Sequence, residues 1–441
     1  MRILLATHQY FPEHIGGTEV FTHGIAKRLK ENNEEVAVVT YIQSTSGNKE
    51  DYAVKKIEYE GIPVYQIHYN LSVDPVPVKA EYDNEFVKEQ FISILHEVKP
   101  ALVHFTHAMK ISGSVMEACS SLGIPFVVTL TDFWFICPRH TLLKWNNKLC
   151  GGPKNKTYCA RCMHKTHGFF NPAVMKYNSF LLACLLKFRK TFRIGGNNRF
   201  WNDLDVLSRR NEYLLAQIIK AEYIMVLSGF QKKMFLKNGY PDESIRVLRH
   251  GPEITSRTTE IKTPHGTDIN LLLIGSIVPH KGVHIAIEAI TRCKNPDLRL
   301  LIYGDYSGND HYMKMIRDAA AKEPRINLMG TFPPSETGNI LAEGDVLIMP
   351  SLWYENLPLV IQLALSQGIP VIASNSGSLP EIISHDENGW LIARGDIKAW
   401  TETFNKLSLE KLGKLRVNPG SIGTMDENFK DIYSIYKHIL K

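Results

Sequence analysis

Long apolar runs and strong charge of one sign are both missing from this sequence of 441 residues. Although 44% of the residues are hydrophobic, no stretch approaches the ~20 apolar residues that a helix needs to cross a bilayer. The formal net charge of +6 is mild, so charge alone does not indicate nucleic-acid binding; a basic surface that faces lipid or a charged ligand fits it equally. We therefore predict a soluble globular chain, long enough for two domains, with no nucleic-acid partner.

The first residues also lack the pattern of an export signal. The apolar start from Met1 to Ala6 reaches Thr7 and His8 too soon for a signal peptide. Seven cysteines, an odd number, therefore favour reduced thiols or metal ligands over disulfides. We predict a cytoplasmic protein, with the inner face of the cell membrane as a second, peripheral location.

The segment 345–392 carries the clearest pattern of a binding site. An apolar strand pattern ends at Pro350-Ser351, a loop with Glu355 follows, and a helix pattern begins near Leu359 before a second strand at Val371. This order is typical of parallel sheets, whose ligands lie at the carboxyl ends of the strands. The loop leads into a helix N-terminus, where unpaired N–H groups favour an anion. The segment therefore predicts a phosphate-bearing ligand.

Strand, loop and helix patterns also open each half of the chain. The strand pattern from Arg2 to Thr7 precedes the pair Gly16-Gly17, where backbone can approach a ligand closely, although a simple turn would use the same residues. In the second half, the strand pattern from Asn270 to Ile274 precedes a loop with Lys281-Gly282. This alternation predicts two doubly wound α/β domains.

Five landmarks share the order and spacing of a known family, and they are Pro350-Ser351, Glu355, Gly368 to Ser374, Leu379-Pro380-Glu381 and Asn388 to Leu391. They resemble the C-terminal half of retaining GT-B glycosyltransferases of family GT4, or glycosyltransferase group 1. The resemblance implies two Rossmann-like parallel-sheet domains that face each other across a cleft. It also implies metal-independent, hexosyltransferase-type transfer, with retention of configuration, from a nucleotide-diphosphate sugar to a glycan or lipid-linked acceptor in cell-envelope polysaccharide biosynthesis.

The resemblance also implies a division of the chain. We expect an N-terminal acceptor-side domain over 1–252, a nucleotide-sugar-binding domain over 253–425, and a last helix over 426–441 that crosses back to the first domain. The polar stretch 253–267 is typical of a linker.

On the donor side, the resemblance assigns catalytic roles to Lys281 and Glu355. Lys281 would neutralise the charge that grows on the leaving diphosphate, and Glu355 would hold sugar hydroxyls and orient the donor. The other donor-binding positions that it implies are Gly16, Gly17, Ser276, Phe332, Asn356, Leu357 and Leu359.

Two donor positions differ from the family. Ser276 stands where relatives carry arginine, and Leu363 where they carry a second glutamate that is aimed at the ribose. Gln362 would point about 100° away round the helix, so it is a poor substitute. These differences keep open a non-catalytic nucleotide-sugar-binding or partner subunit. A nucleotide-sugar epimerase of the same fold is a further alternative.

On the acceptor side, His107 and Asp132 each follow a strand pattern. Many relatives carry histidine where Thr131 stands, which leaves Asp132 as the polar group there. We predict acceptor-side roles for both residues, although a packed histidine and an aspartate that caps a turn would show the same pattern.

Four of the seven cysteines form an insertion near 137–165, and they are Cys137, Cys150, Cys159 and Cys162. Four thiolates can complete a tetrahedral metal site with no open position, so we predict a structural zinc ion, with an iron–sulfur cluster as the alternative. Such a loop has no other evident means of ordering itself. Scattered thiols, or disulfides in an exported protein, remain the other interpretation.

The segment 180–193 passes from apolar residues into a run of lysines and arginines. It predicts peripheral contact with a membrane surface, with leucines in the interface and cations near lipid phosphates. A buried helix with a basic end fits the same pattern.

Overall fold

The computed structural model describes residues 1–44, 52–153, 199–254, 268–308 and 310–441, together with six single positions between 159 and 188. The chain divides into two compact units. The first contains Met1–Leu227, Gln231–Leu248 and Phe429–Lys441, and the second contains Ser228–Phe230 and Arg249–Asn428. Residues 255–267 of the predicted linker 253–267, and most of the segment 180–193, lie outside the described residues.

The first unit is built on an eight-stranded sheet. Its strands are β1 (Arg2–Thr7), β2 (Glu35–Gln43), β3 (Ala53–Tyr59), β4 (Ile62–Tyr69), β5 (Leu102–Phe105), β6 (Phe126–Leu130), β7 (Tyr223–Val226) and β8 (Ile245–Val247). They lie in the order β3-β4-β2-β1-β5-β6-β7-β8. Among these described strands, only β3 pairs in antiparallel fashion, with β4.

Strand β3 was not predicted, and its burial explains why. It lies at the edge of the sheet, and none of its residues is fully buried. An edge strand of this kind lacks the continuous apolar run that marks a central parallel strand.

The described helices of the first unit connect these strands. They are α1 (Gly17–Glu31), α2 (Pro77–Ala80), α3 (Glu85–Val98), α4 (Ser114–Ser121), α5 (Arg199–Ile218) and α6 (Gly229–Lys237). Helix α3 begins after Asn84, whose side chain accepts a hydrogen bond from the Val87 N–H, as expected for an N-cap.

The second unit is built on a six-stranded sheet in which every pair is parallel. Its strands are β9 (Ile269–Ile274), β10 (Leu298–Tyr303), β11 (Ile326–Gly330), β12 (Val346–Met349), β13 (Val371–Ser374) and β14 (Gly389–Ile392). Their order is β11-β10-β9-β12-β13-β14. All residues of β12 and β13 are buried, as expected of central parallel strands covered on both faces.

The helices that follow α6 are α7 (Val283–Arg292), α8 (His311–Ala320), α9 (Thr337–Glu343), α10 (Leu359–Ser366), α11 (Ile397–Asn405), α12 (Leu409–Gly413) and α13 (Met425–Ile439). From Phe429 onward, α13 belongs to the first unit. There the Tyr436 hydroxyl lies 2.5 Å from Nδ1 of His104 in β5. No described helix is long and apolar enough to cross a membrane.

In each sheet, the chain reverses its direction of winding at one place. These switch points lie between β1 and β5 in the first sheet and between β9 and β12 in the second. In open α/β sheets, ligands bind beyond the carboxyl ends of the strands at such points. The two predicted doubly wound sheets are therefore present, and each offers one place to look for a site.

Candidate functional site

The switch point of the second sheet brings Lys281 and Glu355 together. Lys281 follows β9, Glu355 follows β12, and these strands pair side by side. Nζ of Lys281 donates a hydrogen bond to Oε1 of Glu355 at 2.9 Å. Sequence spacing alone did not predict this ion pair, because the two residues are separated by 74 positions.

Gly282 allows the two loops to lie this close. Its φ is +74°, and a Cβ there would lie only 2.0 Å from the Pro350 carbonyl oxygen. No side chain fits at that distance, so the glycine lets the loop after β9 contact the loop after β12. The Leu352 N–H also donates to the His280 carbonyl at 2.8 Å and joins the same loops.

Glu355 is a buried carboxylate whose Oε1 is saturated. This oxygen accepts from Lys281 Nζ, from Ser351 Oγ at 2.5 Å and from Trp353 Nε1 at 2.6 Å. Burial would raise the pKa of Glu355, but Lys281 and these hydrogen bonds hold the pKa below its ordinary value. Among the described residues none donates to Oε2, so the second oxygen of an ionised carboxylate is left for a ligand.

Trp353 also contacts Lys281 and was missed by the sequence interpretation. Nζ of Lys281 lies 4.9 Å from the centroid of the Trp353 ring, within the range of a cation–π interaction. The imidazole of His280 packs against the same ring, with the two ring centroids 5.2 Å apart. The ammonium group is therefore held by both a carboxylate and an indole. The only signal in the sequence was an aromatic residue two positions before Glu355.

Helix α10, which follows the Glu355 loop, begins at Leu359 as predicted. Leu357 has a φ of +56°, an uncommon value for a residue with a Cβ. Its N–H donates to Ser378 Oγ at 2.6 Å, and Pro358 has no N–H. The first turn of α10 has no side-chain cap. Among the described contacts, the N–H groups of Leu359, Val360 and Ile361 are thus the ones that remain for an anion.

Neither Gln362 nor Leu363 supplies a second carboxylate. Gln362 is buried, and its Nε2 lies 3.2 Å from His250 Nδ1 and 3.3 Å from the Leu357 carbonyl oxygen. Burial lowers the pKa of His250 to about 4, so the ring is neutral and can accept this bond. Leu363 packs against the hydrophobic cluster between the sheet and α10. The interpretation that Gln362 is a poor substitute agrees with these contacts.

The other predicted donor positions in this unit are less closely connected. Ser276 is exposed, and its carbonyl accepts from the Val278 N–H at 3.0 Å. Phe332 is half-buried, with its ring 5.6 Å from that of Tyr303. Asn356 is buried directly after Glu355. Within the described part of the chain, no hydrogen bond or ring contact links Ser276 or Phe332 to the Lys281–Glu355 pair.

The switch point of the first sheet holds His107 and Asp132. Nε2 of His107 lies 2.9 Å from Oδ2 of Asp132, while Nδ1 accepts from the Met109 N–H at 3.0 Å. With Nδ1 as an acceptor, Nε2 carries the proton that is donated to Asp132. Oδ1 of Asp132 accepts from the Trp134 N–H at 2.7 Å. Burial would raise the pKa of Asp132, but His107 holds the pKa below its ordinary value. His107 therefore orients an ionised Asp132.

His8 and Glu19 belong to the same group and were not predicted. His8 follows β1, and the centroid of its ring lies 4.1 Å from the centroid of the His107 ring. Burial sets the pKa of His8 well below its ordinary value, and its Nδ1 has no hydrogen-bond partner in the described structure. Burial raises the pKa of Glu19.

The two predicted glycines of this loop differ in their surroundings. A Cβ at Gly16 would lie 2.6 Å from Glu19 Oε2, whereas a Cβ at Gly17 would meet nothing within 4 Å.

The described part of the cysteine-rich insertion up to residue 153 contains main-chain hydrogen bonds that the sequence interpretation did not foresee. The Cys137 N–H donates to the Phe133 carbonyl and the Cys150 N–H to the Leu142 carbonyl, both at 2.8 Å. All four cysteines carry free thiols. Within the described residues, no group of three or more His, Cys, Asp or Glu side chains is arranged to hold a metal ion.

Part of the chain is similar in sequence to known glycosyltransferases. The profile of the family described as "Glycosyl transferases group 1" matches residues 256–424. The amylovoran biosynthesis glycosyltransferase AmsK of Erwinia amylovora is 26% identical over 196 residues, which cover 42% of this chain and 47% of that protein. The putative colanic acid biosynthesis glycosyltransferase WcaL of Escherichia coli (strain K12) is 25% identical over 206 residues, or 44% of this chain and 50% of that protein. The chain therefore spans about half the length of these relatives.

Solved structures match over nearly the whole chain. Anabaena Alr3699/HepE, in a crystal structure with UDP and glucose, has a TM-score of 0.63 at 17% identity, with 99% of each chain covered. A glycosyltransferase from Rickettsia africae ESF-5 has a TM-score of 0.62 at 16% identity, with 100% of this chain and 98% of that chain covered. The chain therefore has the fold of GT-B glycosyltransferases, and its residues 256–424 are similar to the glycosyl transferases group 1 family.

Proposed function

We propose that this protein is a retaining glycosyltransferase that moves a sugar from a nucleotide-diphosphate donor to a glycan or lipid-linked acceptor. The observation that carries the proposal is the Lys281–Glu355 pair at the switch point of the second sheet. It sets a cation, an ionised carboxylate and a helix N-terminus side by side, which is the set of groups that a nucleotide-diphosphate sugar requires.

Lys281 and the start of α10 act on the leaving group in this proposal. As the anomeric bond lengthens toward an oxocarbenium-like state, negative charge grows on the departing diphosphate. The Lys281 ammonium and the N–H groups of Leu359 to Ile361 stabilise that charge. Groups that are already oriented stabilise it most, because they need no rearrangement during the reaction.

Glu355 acts on the sugar rather than as a nucleophile. Its Oε1 is occupied by three donors, so Oε2 is the oxygen that accepts a hydrogen bond from a donor hydroxyl. The same three donors fix the plane of the carboxylate. Fixed geometry of this kind orients the anomeric carbon and lowers the entropic cost of reaching the transition state.

Asp132 receives the acceptor in the first unit. Its carboxylate is ionised and partly exposed, with 16% of the side chain accessible, while His107 is only 5% accessible. An acceptor hydroxyl can therefore donate to Asp132, and His107 acts through Asp132 as a positioning residue.

The comparisons suggest which donors and acceptors to try first. Anabaena Alr3699/HepE has been crystallised with UDP-glucose, so UDP-sugars are the first donors to test. AmsK and WcaL are named for the biosynthesis of amylovoran and colanic acid, which favours an intermediate of envelope polysaccharide as the acceptor. We place the reaction in the cytoplasm, with the inner membrane face as the site of a lipid-linked acceptor.

A screen of nucleotide-diphosphate sugars tests the proposed function. The protein is incubated with sugar derivatives of UDP, GDP, dTDP and ADP, and binding and release of nucleoside diphosphate are measured. We expect one donor class to bind and to release its nucleotide slowly, since water is a poor substitute for the acceptor. Binding without release from any donor would identify a non-catalytic subunit, and an isomerised donor in the absence of an acceptor would identify an epimerase.

Asp132→Asn tests the acceptor side separately. We expect the acceptor KM to rise roughly 10- to 150-fold, because a hydrogen bond to a charged group contributes about 1.5 to 3 kcal/mol. Release of nucleotide in the absence of acceptor should stay within about twofold and serves as the internal control. Thermal unfolding of the variant reports whether the turn held by Trp134 is intact. An unchanged acceptor KM in a folded variant would remove Asp132 from the site.

A further inference from the structure

The loop that follows β13 contacts the Glu355 loop along its main chain. Ser376 Oγ donates to the Trp353 carbonyl at 2.9 Å. Ser378 donates to the Glu355 carbonyl twice, from its N–H at 2.9 Å and from its hydroxyl at 3.1 Å. Since β12 and β13 are neighbours in the sheet, these bonds tie together the loops that follow two adjacent strands.

Gly377 makes this close approach possible. Its φ is +67°, and a Cβ there would lie 2.2 Å from the Glu355 carbonyl oxygen and 2.6 Å from the Glu355 nitrogen. No side chain fits at those distances. Main-chain atoms therefore pack against the very residue whose carboxylate pairs with Lys281.

The hydroxyl of Ser378 is used as both donor and acceptor. It donates to the Glu355 carbonyl and accepts from the Leu357 N–H at 2.6 Å. Leu357 has a φ of +56°, a conformation that is unfavourable for a residue with a Cβ unless its surroundings hold it. Ser378 and Leu357 are both 0% exposed, so water does not readily replace this hydroxyl.

We propose that Ser378 is a positioning residue of the donor site, which aims the Glu355 carboxylate by fixing the main chain of its loop. The inference rests on the proposed function, because Ser378 acts only through Glu355. Three donors saturate Oε1 of Glu355, and one of them, Trp353, is itself held through its carbonyl by Ser376. The place of Oε2, which accepts the sugar hydroxyl in the proposed function, is therefore set by the loop after β13.

Ser378→Ala tests this role by removing a single oxygen atom. We expect the affinity for the intact donor to fall roughly 3- to 10-fold, the effect of one lost hydrogen bond between neutral groups. Affinity for the bare nucleoside diphosphate should be equal or tighter, because the Leu357 N–H is released from Ser378. Calorimetric titration is done with UDP-glucose and UDP first, and otherwise with the donor that the nucleotide-sugar screen selects and its nucleoside diphosphate.

Ser366→Ala is the matched control. Ser366 is also 0% exposed, and its Oγ donates to the Leu363 carbonyl at 2.8 Å at the far end of α10. This variant should bind both ligands like the wild type, and thermal unfolding of both variants shows what the loss of a buried hydroxyl costs. Equal donor affinity in Ser378→Ala and Ser366→Ala would overturn the positioning role. An equal loss for donor and bare nucleotide in Ser378→Ala would overturn it as well.

A double-mutant cycle with Glu355→Gln separates positioning from general support of the fold. If Ser378 acts through Glu355, then adding Ser378→Ala to Glu355→Gln should lower donor affinity by less than about twofold. The full loss in that background would show that the two residues act independently, against the inference. If the wild type binds the donor and Ser378→Ala has no effect, only the inference fails, whereas a wild type that binds no nucleotide sugar would refute the proposed function and the inference together.

Discussion

Lys281→Met should lower kcat for sugar transfer by about 10²- to 10³-fold, as removal of a single group that stabilises charge in a transition state commonly does. Methionine keeps the length of the side chain and removes only the charge and the donors. The donor KM should change much less, because the charge on the diphosphate grows mainly as the bond breaks. Steady-state release of nucleoside diphosphate, measured with saturating acceptor, gives both constants.

Lys398→Met is the matched control for Lys281→Met. Lys398 forms an exposed ion pair with Glu402, so Lys398→Met removes a lysine from a pair that contributes little to stability. Loss of Lys281 leaves the buried Glu355 with only neutral donors, so thermal unfolding and nucleotide binding should be recorded for both variants. A folded Lys281→Met protein with unchanged kcat would contradict the proposed role.

Glu355→Gln should separate recognition of the sugar from recognition of the nucleotide. We expect the affinity for the intact donor to fall roughly 10- to 150-fold, because a neutral amide accepts a more weakly bonded sugar hydroxyl than a carboxylate does. Affinity for the nucleoside diphosphate alone should be equal or tighter, since Lys281 is released from its ion pair. Calorimetric titration with the two ligands measures this difference.

Glu402→Gln, the other half of the exposed pair with Lys398, is the matched control for Glu355→Gln. It should bind both ligands like the wild type. An equal loss of affinity for the donor and for the bare nucleotide in Glu355→Gln would mean that Glu355 supports the loop as a whole. Such a result would assign recognition of the sugar hydroxyl to another residue.

The sequence predicted the elements of the second unit well, because buried parallel strands and their flanking turns have strong local patterns. Helix α10 and strands β12 and β13 lie within about one residue of the predicted bounds. That Lys281 and Glu355 follow neighbouring strands could be expected from the sheet order of a doubly wound fold. That three donors converge on a single oxygen of Glu355 depends on side-chain geometry, which has no sequence pattern.

Other features depended on partners that are distant in the sequence. The Leu357 N–H donates a hydrogen bond to Ser378, 21 residues away. The sequence of the loop alone could not show that this N–H is unavailable to an anion. His8 approaches His107 only because β1 and β5 are neighbours. The edge strand β3 was not predicted for a different reason. None of its residues is buried, so its sequence lacks the apolar pattern that marks a central strand.

The contact of Gly282 with the Pro350 carbonyl sets how much the donor site must change when a ligand arrives. Main-chain atoms pack against main-chain atoms there, so the spacing between the two loops does not depend on flexible side chains. The lysine and the glutamate on these two loops form an ion pair. Folding therefore brings these two side chains together once, and the free-energy cost of doing so does not recur in each catalytic cycle.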